Sequence, residues 1–218
     1  MTFSNRDKTI LVLAVAFIGF LIWSSVQFQH FFTSIVPYFE NLTHRNSIFS
    51  IAVFIGLAIL STMVSSFSSV PLVPIAIIVW GILPTALFLF FGWMTGDILA
   101  YLIAYSGAYP LLKKFLPLEK IEFYRKKIPP DAEFKLVFFF IMSMPAEIPN
   151  YVLGTLRYSF LKYLAIMALG EFVFAFLTAY AGQALVEKNF ILFIGAVSLL
   201  LTFFAYFFFL FNKYLRAK

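Results

Sequence analysis

The sequence has no cysteine and only two histidines, His30 and His44. The first absence excludes disulfides, thiol nucleophiles and Cys-based zinc sites, and the second leaves too few imidazoles for a His-rich metal centre. Charge is scarce as well. Only 12% of residues are Asp, Glu, Lys or Arg, against 62% hydrophobic and 21% aromatic, and the mean hydropathy is +0.95. A soluble domain is about a quarter charged, so these proportions point to an integral membrane protein. No nucleophile elbow, phosphate-binding glycine loop or Ser–His–acid set lies in the apolar segments, so the expectation is a non-enzyme without a cofactor. The net charge of +6 gathers in loops and at the C-terminus. That placement is the topology signal of a membrane chain and predicts no nucleic-acid partner.

Apolar segments can be marked at 9–29, 46–67, 68–84, 85–110, 134–155, 158–183 and 189–212. The first begins with the charged head of "MTFSNRDKTILVLAVAFIGFLIWSSV" and is about 20 residues long, enough to span a bilayer. The bulky "QFQHFFTS" that follows offers no small-residue cleavage site, so the segment is expected to stay as a transmembrane helix. Two segments are broken. The stretch 68–84 carries Pro71, Pro74, Gly81 and Pro84, and 134–155 carries Pro145, Pro149 and Gly154. Proline removes a backbone donor, and freed carbonyls are tolerated at membrane depth only beside protein or a wet cavity. The predicted fold is therefore all-α and membrane-integral. It has about five spanning helices plus two Pro-containing re-entrant hairpins related by an inverted repeat. The predicted organisation is an N-terminal transmembrane helix and loop (1–45), a core with both hairpins (46–185), and a C-terminal transmembrane helix with a basic tail (186–218).

Charge placement gives an independent check on the second hairpin. Lys113, Lys114, Lys120, Arg125, Lys126, Lys127 and Lys135 lie between residues 111 and 135, and Lys213, Arg216 and Lys218 lie in the tail. Both regions are expected to be cytoplasmic, in a plasma (inner) membrane. An even number of crossings must separate them, yet three apolar segments intervene. One segment must turn back, and the broken one is the natural choice. The sidedness of the N-terminus stays open. The loop itself, "KKFLPLEKIEFYRKKIPPDAEFK", fits an interfacial amphipathic helix whose bases gather anionic headgroups, or equally a solvated loop.

Of ten acidic residues, Asp97, Glu147 and Glu171 fall in apolar surroundings. An ionised carboxylate there is costly, so such groups usually face a protein interior or an aqueous cavity. Asp97 has Tyr101 one helical turn later on the same face, placed to donate to it. Glu147 lies between Pro145 and Pro149, with Asn150 and Tyr151 able to satisfy freed backbone groups. Arg157 follows ten residues on, as an interface anchor or as a partner of Glu147. Glu171 follows Gly170 within a long helix. For each carboxylate the alternative is a protonated, hydrogen-bonded structural group. Phe-rich runs such as "FFAYFFFLF" are read as lipid-facing bulk.

"SSVPLVPIAIIVWG" (68–81), "GDILAY" (96–101) and "MPAEIPNYVLGTLRYSFLKYLAIMALGE" (144–171) together resemble the DedA/VTT superfamily of SNARE-associated Golgi proteins. The resemblance runs over about residues 60–185. Gly96, Asp97 and Tyr101 fall on the family's helix motif, and Pro145, Pro149, Asn150, Tyr151 and Gly154 on its second hairpin. It implies movement of lipids between leaflets, either as a phospholipid scramblase or as a polyprenyl-phosphate transporter. Asp97, Tyr101, Glu147, Asn150, Tyr151 and Arg157 would then be the substrate path. Membrane lipids would be the partners, with protons as a further one. Departures are that no acid precedes the first prolines, Ala104 and Tyr105 replace a Gly-Arg pair, Met142 stands where an arginine is usual, and a later arginine is missing. In the family those charges are linked to proton coupling. The rival readings are a non-transporting membrane-integrity or assembly factor and a proton-coupled carrier of a small solute.

Overall fold

The computed structural model describes residues 46–64, 67–108, 116–129 and 132–216, together with positions 37, 41 and 43. The chain divides into two units, Met1–Ser47 and Ile48–Lys218, and the second holds the helical core. The expected first span, 9–29, lies outside the described residues, as do Lys113 and Lys114 of the basic loop.

Among the described residues the protein is all-helical, with no strand. Helix α1 is Ser47–Met63, a 3-10 turn spans Val70–Leu72, and α2 is Val73–Trp80. Helices α3 (Ile82–Tyr105), α4 (Leu118–Lys127), α5 (Phe134–Ser143) and α6 (Glu147–Thr155) follow, and then α7 (Phe160–Val186) and α8 (Phe190–Arg216). Among the described residues three helices are long and apolar enough to cross a membrane, α3, α7 and the Phe190–Leu215 part of α8. The 17-residue α1 is a shorter apolar helix, about 25 Å long at 1.5 Å per residue.

Both broken segments are short helices separated by non-helical backbone. In the first, Pro71 and Pro74 occupy the opening positions of the 3-10 turn and of α2, where a missing N–H costs nothing. The break itself falls at Gly81, with φ 83° and ψ 171°, a conformation essentially reserved for glycine. The sequence boundary at residue 84 is thereby moved. Pro84 sits in the first turn of α3, which starts at Ile82. In the second, Met144 is extended (φ −122°, ψ 151°), as a residue before proline prefers to be. Pro149 again sits in a first helical turn, that of α6.

The packing of the two broken segments is reciprocal. Helix α2 lies on α7, and α6 lies on α3. A glycine permits each contact. A Cβ on Gly182 of α7 would come within 2.8 Å of Ile77, and one on Gly154 of α6 within 2.4 Å of the Tyr101 carbonyl oxygen. Helix α3 carries a small residue every fourth position, Gly92, Gly96, Ala100 and Ala104, all buried. This lets backbones approach closely where helices have no hydrophobic drive to associate.

Helices α7 and α8 are joined by Glu187–Asn189 and fold back on each other, with Phe174 stacked on Phe204 at 4.8 Å. The phenylalanines of α8 are therefore divided. Phe208 and Phe209 are exposed, as expected of lipid-facing bulk. Phe203 and Phe207 pack on the core and Phe211 is fully buried, 5.2 Å from Phe140 of α5.

Candidate functional site

Asp97 sits in α3 with no exposure. Its Oδ1 accepts a 2.8 Å hydrogen bond from Asn150 Nδ2 of α6. Asn150 is held in turn by Tyr163 of α7. That hydroxyl lies 2.8 Å from Asn150 Oδ1 and 3.0 Å from the Asp97 carbonyl oxygen, its single proton shared between them. One buried polar cluster thus ties three helices together. Asp97 Oδ2 has no hydrogen-bond partner within 3.5 Å. The Glu171 side chain of α7 and Thr62 of α1 flank the carboxyl group. Neither Asp97 nor Glu171 forms an ion pair among the described residues.

The other four predicted site residues, Tyr101, Tyr151, Arg157 and Glu147, lie apart from this cluster's hydrogen bonds. Tyr101 does not donate to Asp97. Its hydroxyl donates to the Tyr158 carbonyl, and its ring stacks on Tyr163 at 4.6 Å, so position on the same helical face did not decide the partner. Tyr151, fully buried, donates at 3.1 Å to the Met63 carbonyl, satisfying an acceptor left over at the end of α1. Arg157 is exposed, with φ 52°, and its guanidinium lies 5.2 Å from the Tyr105 ring centroid. The structure therefore seats it at the ends of α3 and α6.

Glu147 opens α6 and is half-buried. It lines a cavity of about 280 Å³ together with Met144, Pro145 and Ala146 of the second break. Ser68, Ser69 and Val70 of the first broken segment line the same cavity, as do Trp93, Glu171 and Phe204. These last three lie near the middle of α3, α7 and α8, which puts the cavity at mid-height of all three long helices. Its polar wall is ordered. Trp93 Nε1 donates to Ser69 Oγ at 3.1 Å, and Ser61 Oγ is 3.0 Å from the same oxygen. Among the described residues the wall carries two carboxyl groups and no Lys, Arg or His.

Sequence reasoning left Tyr163, Trp93, Ser69 and Thr62 unmarked, and kept Glu171 off the substrate path. A signal existed for part of this. Tyr163, Ile166, Met167, Gly170 and Glu171 are buried at helical spacing, one stripe whose two polar ends meet the Asp97 cluster. Thr62 and Ser69 carried no such mark.

Outside the long helices, α4 has a solvent-facing cluster. Glu122 pairs with Arg125 at 2.7 Å and with Lys126 at 3.9 Å. The Arg125 hydrogen bond holds the Glu122 carboxyl below the usual glutamate range.

No curated protein and no solved structure matches the chain. One family does. The prolines, the Asp97 cluster and the cavity wall fall almost entirely within residues 67–184, which match the VTT domain. With more than half of its residues covered, the chain belongs to the VTT-domain family, the DedA/SNARE-associated Golgi group.

Proposed function

We propose that this membrane protein moves lipid headgroups between leaflets through the cavity at mid-height of its long helices, while the acyl tails stay in the bilayer. The observation that carries the reading is the placement of that cavity. It is bounded by Ser68–Val70 at the start of the first broken segment and by the second helix break, and walled by serines, Trp93 and the two carboxyl groups of Glu147 and Glu171. A polar headgroup crossing bare hydrocarbon must give up its hydration, and a wet polar crevice removes most of that cost. The second break then has a reason. Its freed backbone groups line the crevice, and Glu147 is tolerated there because the crevice is wet.

In this reading the two broken segments are re-entrant hairpins that enter from opposite sides. Tyr214, near the end of α8, donates to Glu133 at the start of α5. The end of α6 meets the end of α3, where Arg157 lies over Tyr105. Tyr101 of that helix end meets Phe160 at the start of α7. Since α7 and α8 are antiparallel, both ends of the α5–α6 segment fall on one side. That supports a return without crossing. Helix α2 lies against the far end of α7, at Gly182, which supports the opposite side for the first hairpin and an inverted relation between the two. We place the α4 side, with the α8 tail, in the cytoplasm of a plasma membrane, on its basic residues. Asp97, Asn150, Tyr151 and Tyr163 then hold the second hairpin in position, and Glu147 and Glu171 line the path.

The test is dithionite bleaching of acyl-labelled phosphatidylcholine in vesicles with and without the reconstituted protein. Bleaching that passes beyond the outer leaflet only in protein-containing vesicles supports the reading. Equal bleaching in both, for phosphatidylcholine and for anionic and polyprenyl-phosphate tracers alike, would overturn it.

A further inference from the structure

Helix α4 and its capping residue Ile128 present three faces. Ile121, Tyr124 and Ile128, at helical spacing, turn inward. Both isoleucines are buried, and the Tyr124 ring packs on Phe140 of α5 and Phe211 of α8 at 5.3 and 6.0 Å. A second face is internally paired, because Glu122 bridges to Arg125 and Lys126. The third carries Lys120, Phe123 and Lys127, all exposed, within two helical turns. Among the described residues neither Lys120 nor Lys127 forms an ion pair. Glu119 borders this face, which is left with two cations against one anion. The level of α4 in the membrane follows from Phe211. That residue precedes the end of α8 at Arg216 by about 8 Å along the axis, and the polar layer of one leaflet is about 5–8 Å deep. With Lys213 and Arg216 in that layer, Phe211 and the Tyr124 ring upon it lie at its inner edge.

We propose that the Lys120–Phe123–Lys127 face of α4 docks on the anionic phospholipid surface of the protein's own membrane. Phe123 enters the top of the hydrocarbon, and the two ammonium groups sit on lipid phosphates. A lipid fits this face better than free phosphate does. Phe123 is 49% exposed, and the apolar cover it lacks cannot come from an inorganic ion. Lys127 Nζ lies 4.1 Å from the Phe123 ring centroid, so a cation stands beside the apolar contact. Lysine stems run along apolar surface while the charged head stays in the polar layer. A cavity of about 380 Å³ lies against the same face. Phe123, Tyr124, Met144, Pro145 and Ile148 give it apolar walls beside Glu119 and Lys120, with room for part of an acyl chain. The sequence counts the four bases of α4 alike, and the structure separates them into two pairs. Lys120 and Lys127 hold phosphates, whereas Arg125 and Lys126 are engaged with Glu122. This docking does not depend on lipid crossing the membrane.

The test places a single cysteine in the full chain, Phe123→Cys or Arg125→Cys, labelled with an uncharged fluorophore in nanodiscs of phosphatidylcholine and phosphatidylglycerol. The quenchers are aqueous iodide and spin-labelled lipids of either headgroup. The label at 123 should be quenched by lipid and shielded from iodide, and the label at 125 should show the reverse. At 123, spin-labelled phosphatidylglycerol should quench more than its phosphatidylcholine counterpart. Lys120→Ala/Lys127→Ala should cut that preference about fivefold, the scale of one base at an anionic surface. Lys120→Arg/Lys127→Arg should keep it, and so should Arg125→Ala/Lys126→Ala. Iodide access without lipid quenching at 123 would overturn the docking. Three results would overturn the roles given to the lysines: no preference for phosphatidylglycerol, a preference that survives loss of both lysines, or one lost equally in Arg125→Ala/Lys126→Ala.

Discussion

Asn150 is the hinge of the buried cluster, and its replacement gives the sharpest test of how the second broken segment is held. Asn150→Leu keeps the volume but deletes the 2.8 Å donor to Asp97 Oδ1 and the 2.8 Å acceptor of the Tyr163 hydroxyl. Tyr163 retains the Asp97 carbonyl at 3.0 Å, so its loss is partial, whereas Asp97 loses the one partner of a fully buried oxygen. A buried polar group left unpaired costs about 1–3 kcal/mol, and membrane hydrogen bonds sit at or below the low end of that range. A loss of about 2 kcal/mol is expected for the pair, or a fall in Tm of about 4–8 °C. The assay is thermal unfolding in detergent, followed by intrinsic fluorescence. The exchange Asp97→Asn/Asn150→Asp restores a donor–acceptor pair with the partners reversed. It leaves Tyr163 a carboxylate to donate to. In a double-mutant cycle the exchange should recover about 1 kcal/mol relative to the sum of the single changes. If the double variant is as unstable as that sum, the two side chains do not interact and the cluster does not fasten α6 to α3.

Glycine contacts make a second prediction. Gly154→Ala and Gly96→Ala must each displace backbone, because the added Cβ would meet the carbonyl oxygens of Tyr101 and of Ile59 respectively, each at 2.4 Å. Each should cost about 1–3 kcal/mol by overpacking. Gly195→Ala, with nothing within 4 Å, should be neutral in the same thermal assay. At the surface, Glu122 has its pKa lowered by Arg125, so its pairing contributes above the ordinary glutamate pKa and is lost as pH falls through the depressed value. The pair is solvent-facing, so Glu122→Gln should move Tm at neutral pH by no more than about 2 °C, and wild type and variant should converge in acid.

Membrane character, the helix breaks and the family were legible in the sequence because each depends on local signals: apolar runs, paired prolines and a glycine before the next helix. Gly81 is legible as the glycine before the next helix, but the segment boundary at residue 84 falls three residues past it, because Pro84 looks like a helix breaker and is in fact compatible with a first turn. The pairing of Asp97 with Asn150 was not legible, since 53 residues separate them and only the packing of α6 on α3 unites them. Tyr101 illustrates the same limit. Its spacing from Asp97 was right for contact, but stacking on Tyr163 turned its hydroxyl toward the α6–α7 connection. In α8, lipid-facing and core phenylalanines alternate around one helix, and composition alone cannot divide them.

Passage of lipid through the mid-height cavity can be measured directly, because the chain has no cysteine of its own. Ala146, which lines that cavity at the second break, is replaced as Ala146→Cys. Phosphatidylcholine transfer is then followed in the same vesicles before and after reaction with a bulky, water-soluble thiol reagent. Lys126→Cys, on the exposed face of α4, serves as the labelled control. Transfer by Ala146→Cys should stop on labelling while the control is unaffected. Labelled Ala146→Cys that continues to transfer lipid at its original rate would show that the path lies elsewhere.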